Sequence, residues 1–235
     1  MQWSDRWTIG PREYLDRRRL RRAALRYADH GWAVTPGAYL AGHRLPRGRA
    51  GCLIMGCHPA IESWQDDPGT DPPRVARWWR RRPYPVLLVT GGTFDVLEVP
   101  AAVELRVLGA VRLHTGVLGA VDGDARGPVA VTPSGQWMFL VRPGADLRPE
   151  LGSCRDVRHH GRGSWIPAAP SRTPEGPVRW AVPPEQTGWQ LPESAAVQTM
   201  LLDALAALGR RPRPAAVFVP TVFVPRQVST ARRAA

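Results

Sequence analysis

Short stretches rich in β-branched and aromatic residues, bounded by glycine and proline, constrain the fold of this chain more than any other feature. A helical pattern precedes them at Arg12–Asp29 and another follows at Ser194–Leu208, where apolar residues recur every three or four positions. This order of helices and short strands predicts a mixed α+β domain. The strands are expected at Val86–Val89, Phe94–Val99, Val129–Thr132, Trp137–Val141, Ser164–Ala168 and Val178–Val182.

The ends of the first two helices are marked by capping residues. In the first helix Leu20, Ala24, Tyr27 and Ala28 form the apolar stripe, and Gly31 is expected to end it as a C-cap residue. A short strand is expected next, at Trp32–Val34. Asp71, followed by two prolines, predicts the N-cap of a second helix that ends near Arg82. A further helix is expected over Ala101–Leu108.

Composition places the chain among ordinary soluble proteins. It has 235 residues, of which 43% are hydrophobic and 22% charged. No apolar run approaches the roughly 20 residues that span a bilayer, and the N-terminus lacks a signal-peptide profile. The three cysteines are an odd number, which argues against a disulfide framework and for reduced thiols. A cytoplasmic protein with no membrane partner is therefore expected.

The net charge is +12, and every basic residue is an arginine. Arginine binds phosphates in a bidentate manner and stacks on bases, which favours a nucleic-acid partner. Codon bias in a GC-rich genome is an equal alternative, since Ala, Gly and Pro are abundant as well. The run Arg17–Arg22 indicates a solvated helix face, with phosphate contact as the less favoured alternative.

The stretch Phe94–Pro100 is the first candidate for chemistry. Because side chains alternate along a strand, Asp95 points with Leu97 to one face and Glu98 points to the other. Two-metal nucleotidyl transfer needs carboxylates at positions i and i+2 of one face. Glu98 meets this requirement for one acid, but its i+2 partner is Pro100. A core strand with one acid at its exposed end is the favoured alternative.

Two further segments could bind phosphate or a metal ion. The turn Thr132–Trp137 could hold a phosphate on its backbone amides, although a plain hairpin turn is more common. In the segment Cys154–His160 a strand would put Asp156 and Arg158 on one face. The adjacent His159 and His160 would point apart, in surface or core roles.

A zinc site is a weaker possibility. Cys52, Cys57 and His58 lie close in sequence, whereas structural zinc takes four ligands. Cys154 or His43 would have to supply the fourth. The absence of zinc remains the favoured alternative.

Taken in order along the chain, these pieces resemble the N-terminal domain of bifunctional DNA primase/polymerases, the Prim-Pol branch of the archaeo-eukaryotic primase superfamily. The resemblance spans about Arg19 to Trp180. It rests on Ala24–Ala28 with Gly31, Trp32, Val34 and Pro36; Asp71-Pro72 before Trp78-Trp79; Val89-Thr90-Gly91; Val96–Val99; Thr132–Gly135; Asp156-Val157-Arg158; and Pro167–Ser171.

The resemblance implies an RNA-recognition-like mixed sheet flanked by helices, and metal-dependent nucleotidyl transfer with Mg²⁺ or Mn²⁺. It implies that Glu98 and Asp156 are the catalytic, metal-binding acids, while Pro100 replaces a second acid. Trp137, or Met138 depending on a gap, stands where the family has a histidine. The residues implied to bind nucleotide or phosphate are Ser134, Gly135, Arg155 and Arg158.

Two of four key groups are thus replaced, which predicts a catalytically weakened or inactive member that binds DNA, another nucleic acid or a nucleotide. Alternatives are an active metal-dependent primase/polymerase, with Asp95, Asp122 or Asp124 as the second acid, and a protein-interaction module. The strand parity of Asp95 argues against that residue. We expect an extension at 1–11, the domain at 12–208, and an Arg/Pro-rich tail at 209–235, disordered or used for interaction.

Overall fold

The computed structural model confirms an α+β fold built from helices and antiparallel sheets. It describes residues 11–38, 58–61, 64–65, 69–80, 82–101, 103, 125–173 and 175–207. The helices are α1 (Pro11–Asp29), α2 (Pro72–Trp78), α3 (Pro149–Gly152) and α4 (Ser194–Ala207), with a 3-10 helix at Pro184–Thr187. The strands are β1 (Val34–Pro36), β2 (Val86–Val89), β3 (Asp95–Pro100), β4 (Val129–Val131), β5 (Gln136–Val141), β6 (Arg158–His160), β7 (Trp165–Pro167), β8 (Arg172–Thr173), β9 (Gly176–Pro177) and β10 (Arg179–Val182).

The larger sheet has five strands in the order β10-β4-β5-β3-β6, and each neighbouring pair is antiparallel. A smaller sheet has the order β1-β2-β7, and β8 and β9 form a separate pair. In the larger sheet β3 lies between β5 and β6. Side chains from both of those strands therefore reach the acids of β3.

α1 forms as its apolar stripe predicts, and it buries that stripe in the first of two cores. Leu20, Ala24, Tyr27 and Ala28 are buried together with residues of β2, β3 and β5. The Tyr27 hydroxyl donates to the Ala169 carbonyl at 2.5 Å and accepts from the Trp180 indole N–H at 3.0 Å. These two hydrogen bonds tie the inner side of the helix to β10 and to the segment after β7. Burial raises the pKa of Tyr27 well above the usual tyrosine value.

The second core lies on the other face of the larger sheet. Leu97 and Val99 of β3 and Phe139 of β5 pack there with Val197 and Leu201 of α4. α4 begins at Ser194, as the sequence predicts, and ends at Ala207, the last described residue. Because β3 contributes alternate residues to the two cores, each of its faces is buried.

The element boundaries depart from the sequence prediction where core packing decides them. α2 has the predicted N-cap, since Asp71 accepts from the Arg74 backbone N–H at 3.1 Å, but it ends at Trp78 instead of continuing to Arg82. Trp79 leaves the helix to bury its ring and to donate its indole N–H to the Tyr84 carbonyl at 2.6 Å.

The short strand expected at Trp32–Val34 lies at Val34–Pro36, because Val34 is the first residue that pairs with β2. Trp32 instead packs in the first core against Tyr27 and Phe94. The helix expected over Ala101–Leu108 lies almost wholly outside the described residues.

Candidate functional site

Glu98 lies on β3, one strand in from an edge of the larger sheet, and has residues of both neighbouring strands beside it. The register pairs it with Met138 of β5 on one side and with Arg158 of β6 on the other. Directly paired residues point to the same face of a sheet, so these three side chains are neighbours. Only 11% of the Glu98 side chain is exposed, whereas that of Arg158 is 73% exposed.

Both carboxylate oxygens of Glu98 face a partner from β6. Oε2 lies 2.7 Å from His160 Nε2, and Oε1 lies 3.6 Å from Arg158 Nη1. His160 Nδ1 is in turn 3.1 Å from the Ser164 hydroxyl. A carboxylate only accepts, so Nε2 carries the proton that is donated to Glu98, and in a neutral imidazole Nδ1 accepts from Ser164. The result is a hydrogen-bonded chain of Ser164, His160 and Glu98.

Asp95 occupies the opposite face of β3, as strand parity predicts. Its Oδ2 accepts from the Gly144 backbone N–H at 3.0 Å and lies 3.4 Å from His159 Nε2. Asp95 is 3% exposed, and within the described part of the chain its Oδ1 has no hydrogen-bond partner. His159 and His160 point apart, as expected, and each lies near a different acid of β3. Because Asp95 and Glu98 lie on opposite faces of β3, their carboxylates cannot bind the same metal ion.

Pro100 and Met138 stand where the resemblance implies a second acid and a histidine. Pro100 is the last residue of β3, two positions beyond Glu98. Of the two candidates for the histidine position, it is Met138 that pairs with Glu98, and Met138 is 1% exposed. Trp137 pairs with Val99 and so points to the other face, where it lines a shallow groove of about 380 Å³.

The segment with Ser134 and Gly135 is the turn of the β4–β5 hairpin. The Gly135 N–H donates to the Thr132 carbonyl at 3.0 Å, and the Gln136 N–H donates to the Thr132 hydroxyl, also at 3.0 Å. Gly135 has a φ of +79°, which glycine adopts without strain. The Ser134 hydroxyl is exposed and 2.9 Å from that of Thr132. Two amides that could have held a phosphate are therefore used within the turn.

Arg155 and Asp156 lie in the turn that leads into β6. Arg155 is exposed and Asp156 is half-buried. Since β3 and β6 run antiparallel with Glu98 opposite Arg158, the residues before Arg158 lie toward the Pro100 end of β3. Asp156 thus approaches the site from the same end as the Ser134 turn. Asp156 and Arg158 were expected to share a face of one strand, but β6 begins only at Arg158, so Asp156 lies in the turn before it.

The candidate zinc ligands are only partly within the described residues. Cys52 and Cys57 lie outside them, as does His43. The His58 Nδ1 is 2.9 Å from the Pro59 carbonyl oxygen, while its Nε2 is buried with no partner in the described part of the chain. Cys154 is a free, half-buried thiol. The zinc site remains a prediction.

Comparison with protein-family models gives one match, over residues 24–195, to the family described as bifunctional DNA primase/polymerase, N-terminal. The match covers well over half of the chain. This chain belongs to the Prim-Pol family. No curated protein matches the Prim-Pol chain. Among the helices described, none combines the length and apolar composition that a membrane-spanning segment requires.

Prim-Pol proteins use divalent metal ions, and the side chains around Glu98 do not suit one. No group of three or more His, Cys, Asp or Glu side chains within the described ranges is arranged to hold a metal ion. A cationic Arg158 side chain and the Nε2–H of His160 face the carboxylate that a cation would need. Mg²⁺ and Mn²⁺ require several oxygen ligands, whereas Met138 and Pro100 supply no side-chain oxygen.

Sequence reasoning missed His160 and Ser164 as partners of Glu98. The signal was present, because a residue two positions after Arg158 shares its face on a strand. Using that signal required knowing that β6 pairs with β3, and in which register. The four-residue separation of His160 and Ser164 became meaningful only when the intervening turn brought them together.

Proposed function

We propose that this Prim-Pol domain binds nucleic acid or a nucleotide and that its own nucleotidyl-transfer centre is weakened or silent. The observation that carries the proposal is the occupation of both Glu98 oxygens by His160 and Arg158. In a working two-metal centre those oxygens face metal ions that neutralise the phosphates. Here protein cations and donors take that position.

The replaced positions next to Glu98 support the same conclusion. Pro100 removes one unit of negative charge from the face, and Met138 puts a buried thioether where a polar donor to the nucleotide would stand. Positioning and charge neutralisation supply nearly all of the rate enhancement in phosphoryl transfer. A loss of both groups is therefore expected to lower polymerisation by orders of magnitude while leaving the sheet intact.

The retained binding function is supported by charge. The chain carries 32 basic and 20 acidic residues, and Arg155 and Arg158 stay exposed at the edge of the site. Salt-dependent attraction to phosphates follows from such a surplus. The proposal includes a cytoplasmic location, as composition predicts.

Primer extension on a DNA template tests the catalytic half of the proposal. Wild type, Glu98→Ala and Asp156→Ala would be assayed with labelled dNTPs in Mg²⁺ and then in Mn²⁺, with the exposed Glu175→Ala as the matched control. We expect no incorporation by any of them, together with salt-sensitive DNA binding by wild type. Incorporation that disappears in Glu98→Ala and Asp156→Ala but persists in Glu175→Ala would establish an active primase/polymerase instead.

A gain-of-function variant sharpens the test. Pro100→Asp combined with Met138→His returns an acid and an imidazole to the face of Glu98, and Arg158→Gln and His160→Gln would be added to free its carboxylate. Extension that appears only in the combined variant would support the assignment of these positions. Absence of both extension and DNA binding in wild type would favour a protein-interaction module.

A further inference from the structure

The outer side of α1 presents a row of arginines that the site around Glu98 does not use. Arg18, Arg21, Arg22 and Arg26 line a surface groove of about 600 Å³, together with Leu25 and Asp29. These residues recur at three- and four-residue intervals, so they share one side of the helix. All four arginines are exposed. We call this set of four the α1 arginine surface.

The arginines are concentrated in this helix far beyond the average of the chain. Seven of the 32 basic residues stand within the 19 residues of α1, and no acid occurs between Arg17 and Ala28. Codon bias would raise arginine throughout the sequence and would not gather it on one helix. The clustering therefore needs a local reason.

Within the described part of the chain, these charges are only partly neutralised. Arg26 pairs with Glu185 at 3.0 Å, whereas Arg21 and Arg22 have no carboxylate partner among the described residues. The guanidinium of Arg18 lies over the Tyr14 ring, 5.7 Å from its centroid. Like charges four positions apart destabilise a helix. Asp29 in the groove and Glu185 beside Arg26 offset part of this charge, and the four arginines still leave a positive surplus on this side of α1.

The second helix extends the basic area. The Arg17 guanidinium donates to the Arg80 carbonyl at 3.0 Å, which ties α1 to the turn that follows α2. Arg77 and Arg80 of that region are exposed. Arg77 of α2 and Arg80 just after it thus add exposed positive charge on a segment that packs against α1.

We infer that the α1 arginine surface binds the phosphate backbone of a nucleic acid. The inference rests on the proposed binding function and names where the contact is made. Arg18 and Arg26 are eight positions apart, about 12 Å along the helix axis at 1.5 Å per residue. One strand of duplex DNA presents a phosphate every 3.4 Å or so along its axis, so the row spans three to four phosphates. A guanidinium group can bind two phosphate oxygens at once, and such phosphate contacts carry no base specificity.

A charge-matched pair of variants tests the inference. The first carries Arg18→Gln, Arg21→Gln and Arg22→Gln; Arg26 is kept because it pairs with Glu185. The second carries Arg126→Gln, Arg172→Gln and Arg179→Gln, three exposed arginines elsewhere in the fold. Both lose three positive charges, so long-range attraction falls equally. Binding to a labelled DNA duplex and a labelled single strand would be measured between about 50 and 200 mM salt, a range over which counterion release changes the affinity strongly.

We expect the first variant to lose at least tenfold in affinity at about 100 mM salt, with the slope of log K against log salt reduced by two to three, roughly one for each lost phosphate contact. The second variant is expected to stay within about threefold of wild type. Thermal unfolding of each variant shows whether it is folded.

Three results would overturn the inference. If wild type binds DNA and the two variants weaken binding equally, the proposed function stands but the α1 arginine surface is not the contact. If wild type binds no nucleic acid, the proposed binding function and the inference about the α1 arginine surface are both wrong. If wild type binds vesicles containing phosphatidylserine, and the first variant loses that binding but keeps DNA binding, the surface serves a membrane instead.

Discussion

The centre on β3 and the α1 arginine surface are both charged, but they differ in whether the charged side chains have partners within the protein. Glu98 is nearly buried, and His160 and Arg158 face its two oxygens. Arg21 and Arg22 project from a helix with no acid near them in its sequence, and both are exposed. The centre around Glu98 is closed in the sense that the partners of its carboxylate are residues of the protein itself. The α1 arginine surface is open, because its exposed guanidinium groups can contact an external partner.

This difference separates the two halves of the proposed function. Catalysis needs a carboxylate left free for a metal ion, and the β3–β6 register engages that carboxylate instead. Binding needs only accessible positive charge, which the outer side of α1 supplies. A domain can therefore lose the first property and keep the second, because fold and function are separable.

Removal of the Glu98 carboxylate should produce the largest effect on stability. Glu98→Ala leaves the half-buried Nε2–H of His160 without an acceptor, so we expect unfolding free energy to fall by about 1–3 kcal/mol. Glu98→Gln keeps an acceptor and should lose less. Urea denaturation measures both. A variant more stable than wild type would contradict the closed-centre description, since an acid held for metal binding is expected to destabilise the apo protein.

The inner side of α1 should be more sensitive than its outer side. Tyr27→Phe leaves the Trp180 N–H and the Ala169 carbonyl without their partner, which should lower stability by about 1–2 kcal/mol at neutral pH. The exposed Tyr14→Phe serves as the control and should change little.

The pH dependence of Tyr27→Phe follows from the raised pKa of Tyr27. Burial in the folded protein favours the neutral phenol of Tyr27. The contribution of Tyr27 to the free energy of unfolding is therefore complete below the ordinary tyrosine pKa of about 10, and it is lost as the pH rises through the higher pKa of the folded state. The stability difference between wild type and Tyr27→Phe should therefore narrow above about pH 10. Denaturation at several alkaline pH values measures it, and a constant difference would argue against neutral burial of the phenol.

The smallest effect is expected on the outer side of the same helix. Arg22→Gln removes like-charge repulsion with Arg18 and Arg26, so stability should stay the same or rise by about 0.2–0.5 kcal/mol. The gain should shrink as salt screens the charges. Thermal unfolding at low and high salt measures this difference. A loss of more than about 1 kcal/mol would show that Arg22 has a structural role within the protein.

The local elements were largely predictable because local sequence determines them. The apolar stripe of α1, the Asp71 cap and the hairpin around Ser134 each depend on residues a few positions apart. The element boundaries that the sequence predicted wrongly lie next to tryptophans. Trp79 and Trp32 lie outside their expected elements because their rings pack in a core assembled from distant segments. A local sequence pattern contains no information about such distant contacts.

Sequence by itself determined that Asp95 and Glu98 point to opposite faces, because alternation is a property of any extended strand. It also determined the arginine content of α1 and the replacement at Pro100. Only the tertiary structure decided that His160 and Arg158 meet Glu98, and that Met138 is its neighbour in place of Trp137. These contacts depend on strand register, and a shift of one residue would turn each of these side chains to the other face.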